Sequence, residues 1–119
     1  AVETANAKVK QDAPVYMAWF GWEPPMFNGR MRAFHCLDIC FWFDNTDKML
    51  THTGGGARPR ALGETMSDAL LSFMKTGKPS APALPEWKEY TSEKGETMIL
   101  DDYSTLENDP DREARKLLG

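Results

Sequence analysis

Residues 31–43 read Met-Arg-Ala-Phe-His-Cys-Leu-Asp-Ile-Cys-Phe-Trp-Phe and set one histidine, His35, among apolar side chains. Before it, residues 15–22 are rich in aromatics and show little polar alternation. Such a run is typical of a strand buried on both faces, as in a parallel sheet flanked by helices. Residues 23–29 then supply proline, asparagine and glycine, which favour a turn. The histidine segment therefore follows a strand that we expect inside a sheet.

Helical signals lie on both sides of this strand. Residues 1–11 have helix-forming composition, and Ala13 precedes Pro14, which disfavours helix at the residue before it. The strongest pattern covers residues 61–75, and Gly77 is typical of a left-handed C-cap. Its apolar stripe consists of Leu62, Met66, Ala69, Leu70, Phe73 and Met74.

The remaining segments complete an alternating order of helices and strands. We expect a short helical turn within 36–43, loop over 44–60, a proline-rich connector at 80–85 anchored by Trp87 and Tyr90, a short strand at 96–101, and a helix at 108–118 capped by Asn108 or Asp109. The order helix, strand, loop, helix, strand, helix predicts the α/β class with a parallel sheet.

Composition limits the classes of function. A chain of 119 residues is long enough for one domain with a modest core. Its composition, with 41% hydrophobic and 27% charged residues, is typical of soluble globular proteins. The net charge of −4, without a cluster of lysine and arginine among aromatics, argues against nucleic-acid binding. No apolar run approaches the roughly 18 residues of a membrane span.

Five motifs occur in order along the chain: Ala-Pro-Val-Tyr-Met at 13–17, Ala-Phe-His-Cys-Leu-Asp-Ile-Cys-Phe-Trp-Phe at 33–43, the helix and its Lys-Thr-Gly-Lys-Pro-Ser end at 66–80, Leu-Pro-Glu-Trp-Lys-Glu-Tyr at 84–90, and Glu-Thr-Met-Ile-Leu-Asp at 96–101. Together they resemble the last fifth or so of type-B carboxylesterases, the serine esterases that include para-nitrobenzyl esterases and cholinesterases. The resemblance covers nearly the whole chain.

This resemblance implies a fold and a role for His35. The fold would be a carboxy-terminal fragment of an α/β-hydrolase, with the last strands of the sheet and flanking helices, and residues 1–119 would be one incomplete unit of a carboxylesterase catalytic domain. His35 would be the triad histidine, acting on an ester substrate without any cofactor or metal. Asp38 resembles the family's buried acid beside the site, which supports it, whereas the triad acid would lie upstream.

The catalytic serine has no counterpart in these residues. An α/β-hydrolase triad runs Ser, then Asp or Glu, then His along the chain, and no Gly-x-Ser-x-Gly occurs here. The first residues, polar and without an initiator methionine, suit a processed or truncated product. We therefore expect the 119-residue chain alone to be inactive, and we expect it to self-associate, since removal from a larger sheet would expose an unpaired edge.

Four positions depart from the family pattern. Cys36 stands where glycine or alanine is common after the histidine, Cys40 replaces a proline, Asp44 a glycine and Leu70 a tryptophan. Because the two cysteines have helical spacing, we predict two free, largely buried thiols rather than a disulfide. The departures suggest a divergent member and bear on substrate class more than on reaction type.

Other interpretations of the same residues remain open. A lone histidine in an apolar loop is often structural, and a cholinesterase-like relative without catalysis would keep this segment as a binding or structural module. The glycines after His52 resemble the glycine-rich oxyanion motif of esterases. That motif precedes the catalytic serine, whereas these glycines follow His35, so we predict a surface loop with His52 solvated. A metal site is disfavoured for the set His35, Cys36, Cys40 and His52, because two adjacent residues such as His35 and Cys36 rarely bind one ion together.

Overall fold

The protein is described by a computed structural model over residues 1–118. Its helices are α1 Val2–Lys8, α2 Ile39–Trp42, α3 Leu50–Thr53, α4 Ala57–Thr76 and α5 Arg112–Leu118, and its strands are β1 Met17–Phe20, β2 Glu96–Leu100 and β3 Thr105–Asn108. Two 3₁₀ turns, Met26–Gly29 and Thr46–Met49, lie in the connection between β1 and α4. The predicted α/β class is confirmed.

The three strands form one sheet in the order β1-β2-β3. The β1–β2 pair is parallel, with Met17 opposite Thr97 and Phe20 opposite Leu100, as predicted for the two strands read from the sequence. The β2–β3 pair is antiparallel and was not predicted. Because β3 includes Asn108, the prediction of a helix from 108 is wrong at its start, and α5 begins at Arg112.

The two faces of β1 are less covered than predicted. Ala18 and Trp19 are exposed, so the expectation of a strand buried on both faces is wrong for the described residues. The physical reason is packing: among the described elements β1 makes its main contacts with β2, and no helix packs extensively on either of its faces. In β2, Met98 and Leu100 are fully buried.

Helix α4 is longer than its apolar stripe suggested. It begins at Ala57, four residues before the predicted start, and Pro59 lies in its first turn, where proline removes no intrahelical hydrogen bond. It ends as predicted at Gly77, whose φ of 76° is left-handed and whose N–H donates to the carbonyl of Phe73 at 2.8 Å. The expected loop over 44–60 is wrong, because it contains the Thr46–Met49 turn, α3 and the start of α4.

The core lies between the sheet and α4. Leu62, Met66 and Ala69 of α4 are buried, whereas the predicted stripe residues Phe73 and Met74 remain exposed at its end. The other buried members of the cluster are Trp22, Leu37, Cys40, Phe41, Trp87, Met98 and Leu100. Burial of each large apolar side chain contributes about 1.5–3 kcal/mol before the loss of conformational entropy is counted. The segments around His35 therefore share one core with the sheet.

The proline-rich connector is anchored as the sequence predicted. Trp87 and Tyr90 are both buried. The N–H of Tyr90 donates to the carbonyl of Val15 at 2.7 Å, and its hydroxyl donates to Oδ1 of Asn6 at 2.9 Å. Burial raises the pKa of the Tyr90 hydroxyl, so it remains a donor at neutral pH. These bonds tie α1, the start of β1 and the connector together.

Candidate active site

His35 is exposed and lies in residues 30–38, which we call the His35 loop. This loop joins the Met26–Gly29 turn to α2, and the turn itself follows the carboxyl end of β1. In open α/β sheets, ligands bind outside the carboxyl ends of the parallel strands. The chain therefore presents an accessible imidazole in a segment of the kind that carries sites in this class of fold.

Buried side chains fix the end of the His35 loop and the start of α2 to the core. Leu37 is fully buried, and its N–H donates to the carbonyl of Phe34 at 3.2 Å, which closes a turn around His35. Phe41 is also fully buried, with its ring centroid 5.0 Å from that of Phe20 and 4.9 Å from that of Trp22. The imidazole is exposed while the residues beside it are fixed to the end of β1.

The backbone next to His35 is strained. Cys36 has φ of 65°, and Arg32 has φ of 51°. A side chain in the left-handed region costs about 1–2 kcal/mol relative to the right-handed one. Such conformations are retained only where surrounding contacts determine them, and they cluster at functional sites. The left-handed residue at 36 also explains why a glycine would suit this position.

Asp38 is half-buried and faces α2. Its Oδ2 accepts a hydrogen bond from Nε1 of Trp42 at 3.1 Å, and its carbonyl accepts from the N–H groups of Phe41 and Trp42, both at 3.0 Å. Within the described residues, no side-chain hydrogen bond joins Asp38 to His35. The carboxylate therefore stabilises the start of the helix that carries the buried Phe41.

The second histidine packs against the same loop. His52 lies in α3, half-buried, with its ring centroid 5.8 Å from that of Phe34. The prediction of a surface loop with a solvated His52 is therefore wrong for His52, whereas Gly54, Gly55 and Gly56 do lie in a loop between α3 and α4. The position of α3 is fixed by the buried Thr53 hydroxyl, whose proton is shared between the carbonyls of Thr46 and Met49, both at 3.2 Å, and this ties α3 to the preceding 3₁₀ turn.

The two cysteines are free, as predicted, but they differ in environment. Cys40 is buried, its Sγ donates to the carbonyl of Leu37 at 3.3 Å, and burial raises the pKa of its thiol, with the charge of Asp38 acting in the same direction. Cys36 is exposed, so the prediction of two buried thiols is wrong for this residue. Over residues 1–118, no group of three or more histidine, cysteine or acidic side chains is arranged to hold a metal ion.

Sequence reasoning missed a polar cluster at the carboxyl ends of the parallel strands. The Arg58 side chain of α4 meets Asp102, two residues after β2, and Trp22, two residues after β1. Arg58 had been assigned to a loop, and its partners lie 36 and 44 positions away, so no local pattern could have joined them. A cavity of about 680 Å³ beside the cluster is lined by Arg58, Leu62, Asp102 and Tyr103 among others, and His35 does not line it.

Comparison with known proteins defines the class of this chain. Residues 1–117 match the carboxylesterase family, and the chain belongs to that family. It is 39% identical over 122 residues to the para-nitrobenzyl esterase of Bacillus subtilis (strain 168), and the match covers 99% of this chain and 24% of that enzyme.

Solved structures agree with this membership. A PNB esterase structure superposes over 100% of this chain and 24% of its own length, with a TM-score of 0.84 and 39% identity. The carboxylesterase EST55 of Geobacillus stearothermophilus matches 97% of this chain and 24% of its own length, with a TM-score of 0.75 and 34% identity. The fold is thus part of the α/β-hydrolase fold, and the chain spans about a quarter of the length of these relatives.

Helix lengths and hydropathy bear on the membrane question. In the part of the chain that the structure describes, no helix combines the length and the apolar character needed to cross a bilayer.

Proposed function

We propose that this chain forms part of a serine carboxylic-ester hydrolase of the EC 3.1.1 type, in which His35 is the histidine of the catalytic triad. The observation that carries the proposal is the placement of His35: an exposed imidazole, in a turn closed by the buried Leu37, after the carboxyl end of a parallel strand, in a chain of the carboxylesterase family.

The chemistry assigned to His35 follows from its imidazole. An imidazole can take the proton of the serine hydroxyl as general base. It then returns a proton to the departing alcohol, while an acidic residue holds the ring in one tautomer. The serine and that acid belong to sequence outside these 119 residues. Asp38 is assigned a supporting role, because its carboxylate fixes the first turn of α2 through Trp42.

The relatives support an ester as the substrate. The Bacillus subtilis relative is a para-nitrobenzyl esterase, and para-nitrobenzyl esters are therefore the first substrates to test on the full-length protein. In this proposal residues 1–119 are the carboxy-terminal part of one catalytic domain. The isolated chain then has a base but no nucleophile, so it hydrolyses no ester by itself.

A single comparison tests the proposal. In the full-length protein that contains this chain, His35→Ala should lower kcat for a p-nitrophenyl or para-nitrobenzyl ester by on the order of 10⁶-fold, because loss of the triad histidine disables the serine as well. His52→Ala is the matched control, since His52 packs on the same loop, and it should keep most of the activity. The 119-residue chain should show no rate above its own His35→Ala variant.

Two results would contradict the proposal. Full activity of the His35→Ala enzyme would remove His35 from catalysis. A full-length wild type with no esterase activity would favour a non-catalytic, cholinesterase-like binding module, in which this segment keeps only a structural role.

A further inference from the structure

Arg58 and Asp102 form an ion pair at the carboxyl ends of the two parallel strands. The Nε–H of Arg58 is shared between Oδ1 of Asp102 at 2.9 Å and Oδ2 at 2.8 Å, and Nη2 of Arg58 lies 2.8 Å from Oδ2. Charge-assisted contacts from one planar guanidinium to both oxygens of a carboxylate fix orientation as well as distance. The pair joins the first turn of α4 to the residues that follow β2.

Arg58 and Asp102 both contact Trp22, which lies two positions after β1. The guanidinium carbon of Arg58 lies 4.4 Å from the centroid of the Trp22 ring, and Nε1 of Trp22 donates to Oδ1 of Asp102 at 3.0 Å. Trp22 is fully buried. A cation above an aromatic face is attracted by the ring quadrupole, and the effect is larger where the ring is desolvated. Arg58 and Asp102 therefore hold Trp22 by its face and by its only polar atom.

A second link runs from Arg58 to the His35 loop. Nη1 of Arg58 donates to the carbonyl of Glu23 at 3.1 Å. The carboxylate of Glu23 in turn accepts a hydrogen bond from Nη1 of Arg32, which lies three positions before His35. Arg32 is one of the left-handed residues of the loop, a conformation that neighbouring contacts must maintain. The charges alternate in sign along the path from Asp102 to Arg32.

We infer that Arg58 is a positioning residue for His35, acting through Trp22, Glu23 and Arg32. The inference rests on the proposed function, because it assigns the network to the geometry of the triad histidine. Arg58 itself touches neither His35 nor, in this assignment, the substrate. Its effect is to fix the chain after β1 relative to α4 and β2, so that the His35 loop leaves the sheet in one direction.

The solvent exposure of Arg58 and Asp102 decides whether their loss should affect stability or turnover more. The side chains of Arg58 and Asp102 are 47% and 36% exposed, so the ion pair contributes little to global stability by itself. Misplacement of a catalytic group by about 1 Å can lower a rate by about a hundredfold. A positioning role therefore predicts a larger effect on turnover than on unfolding.

The first arm of the test measures the loop directly. In the full-length protein, Arg58→Met should speed amide hydrogen exchange at Leu37, whose N–H is bonded within the loop, by about tenfold, because local opening then meets fewer restraints. Arg60→Met is the matched control: Arg60 lies two positions away on α4 and pairs with Asp47 at 3.0 Å with similar exposure. It should leave exchange at Leu37 unchanged.

The second arm measures catalysis in the same protein. Arg58→Met should lower kcat for a p-nitrophenyl ester by about ten- to a hundredfold with little change in KM. Arg58→Lys should recover part of that loss, because lysine keeps the positive charge but lacks the planar guanidinium with its several donors. A double-mutant cycle tests whether Arg58 and Arg32 act together. The fold-loss in kcat of the Arg58→Met/Arg32→Met double variant should be smaller than the product of the two single fold-losses, because both substitutions interrupt the same chain of contacts through Glu23.

The two hypotheses fail separately. Unchanged Leu37 exchange in Arg58→Met, or an equal increase in Arg60→Met, would overturn the positioning role whatever His35→Ala does. Losses at Arg58 and Arg32 that multiply as independent effects would overturn the path through Glu23. An active His35→Ala enzyme would instead overturn the proposed function and, with it, the catalytic purpose of the network, while the exchange data would still report the mechanical link.

Discussion

Replacement of Cys36 by glycine should stabilise the protein. Cys36 is exposed and has φ of 65°, so its side chain adds strain without adding buried area. Glycine removes about 1–2 kcal/mol of left-handed strain and costs about 0.5–1 kcal/mol of additional backbone entropy in the unfolded chain. The difference is a net gain of roughly 0–1.5 kcal/mol, centred on about 0.75 kcal/mol, because the exposed Cys36 side chain buries little area.

Matched substitutions separate backbone strain from the thiol. Cys36→Ala removes the sulfur but keeps the strain, so its free energy of unfolding should stay within about 0.5 kcal/mol of wild type. Cys36→Val adds a β-branch at positive φ and should be less stable by about 1 kcal/mol or more. Urea unfolding with a common m-value gives the ranking, which should be Gly, then Cys and Ala, then Val.

A different ranking would refute this reasoning. If Cys36→Gly were no more stable than Cys36→Ala, the left-handed conformation would carry no cost at this turn. If Cys36→Ala alone lost more than 1 kcal/mol, the thiol would make a stabilising contact, and the strain argument would have to be replaced.

Three further predictions concern positions away from His35. Glu96 is buried, and although burial alone would raise its pKa, hydrogen bonds from backbone N–H groups and the Thr91 hydroxyl outweigh it and lower the pKa below its ordinary value. A lowered folded-state pKa gives stability that is present above the unfolded value, about 4.3, and lost as the pH falls below it. Urea midpoints at pH 7, 5 and 3 should therefore fall less in Glu96→Gln than in wild type; equal slopes would contradict the assignment. Gly54→Ala should destabilise by about 1–3 kcal/mol more than Gly77→Ala in thermal unfolding: both glycines have the left-handed conformation, with φ of 74° and 76°, but a Cβ at Gly54 would lie 2.6 Å from Cγ of Pro25, whereas no atom lies within 4 Å of one at Gly77. Self-association of the isolated chain remains a prediction: light scattering should detect dimers that Trp19→Lys reduces, because charge blocks pairing at the β1 edge, and a monodisperse wild-type monomer at high concentration would exclude it.

Sequence patterns predicted the elements whose signals are local. The apolar stripe and Gly77 identified α4 and its end, and the apolar run Met98 to Leu100 identified β2. The start of α4 was missed because glycine and proline read as loop, although Pro59 in a first helical turn breaks no hydrogen bond. Strand β3 was missed because Thr105–Asn108 has no alternation, and it is defined by pairing with β2 rather than by its own residues.

The site was predictable only in part. His35 and Asp38 stand in a contiguous motif, so the sequence could nominate them, and their catalytic assignment stays a prediction. The exposure of Cys36 follows from a backbone torsion that composition does not encode. The Arg58 network depends on contacts between segments far apart in sequence, and such contacts exist only once the sheet has formed.

The parallel pairing of β1 with β2 also has a consequence for biosynthesis. Met17 pairs with Thr97, eighty positions later, and the residues between them contribute no other strand to the sheet in the described chain. At a translation rate of roughly 5–20 residues per second, Met17 emerges from the ribosome about 4–16 s before Thr97 does. During that interval β1 lacks its β2 partner, and its edge on that side is open to chaperones and to other nascent chains. Long-range pairing of this kind also slows folding, so the yield of native protein should depend on how quickly residues 96–100 follow.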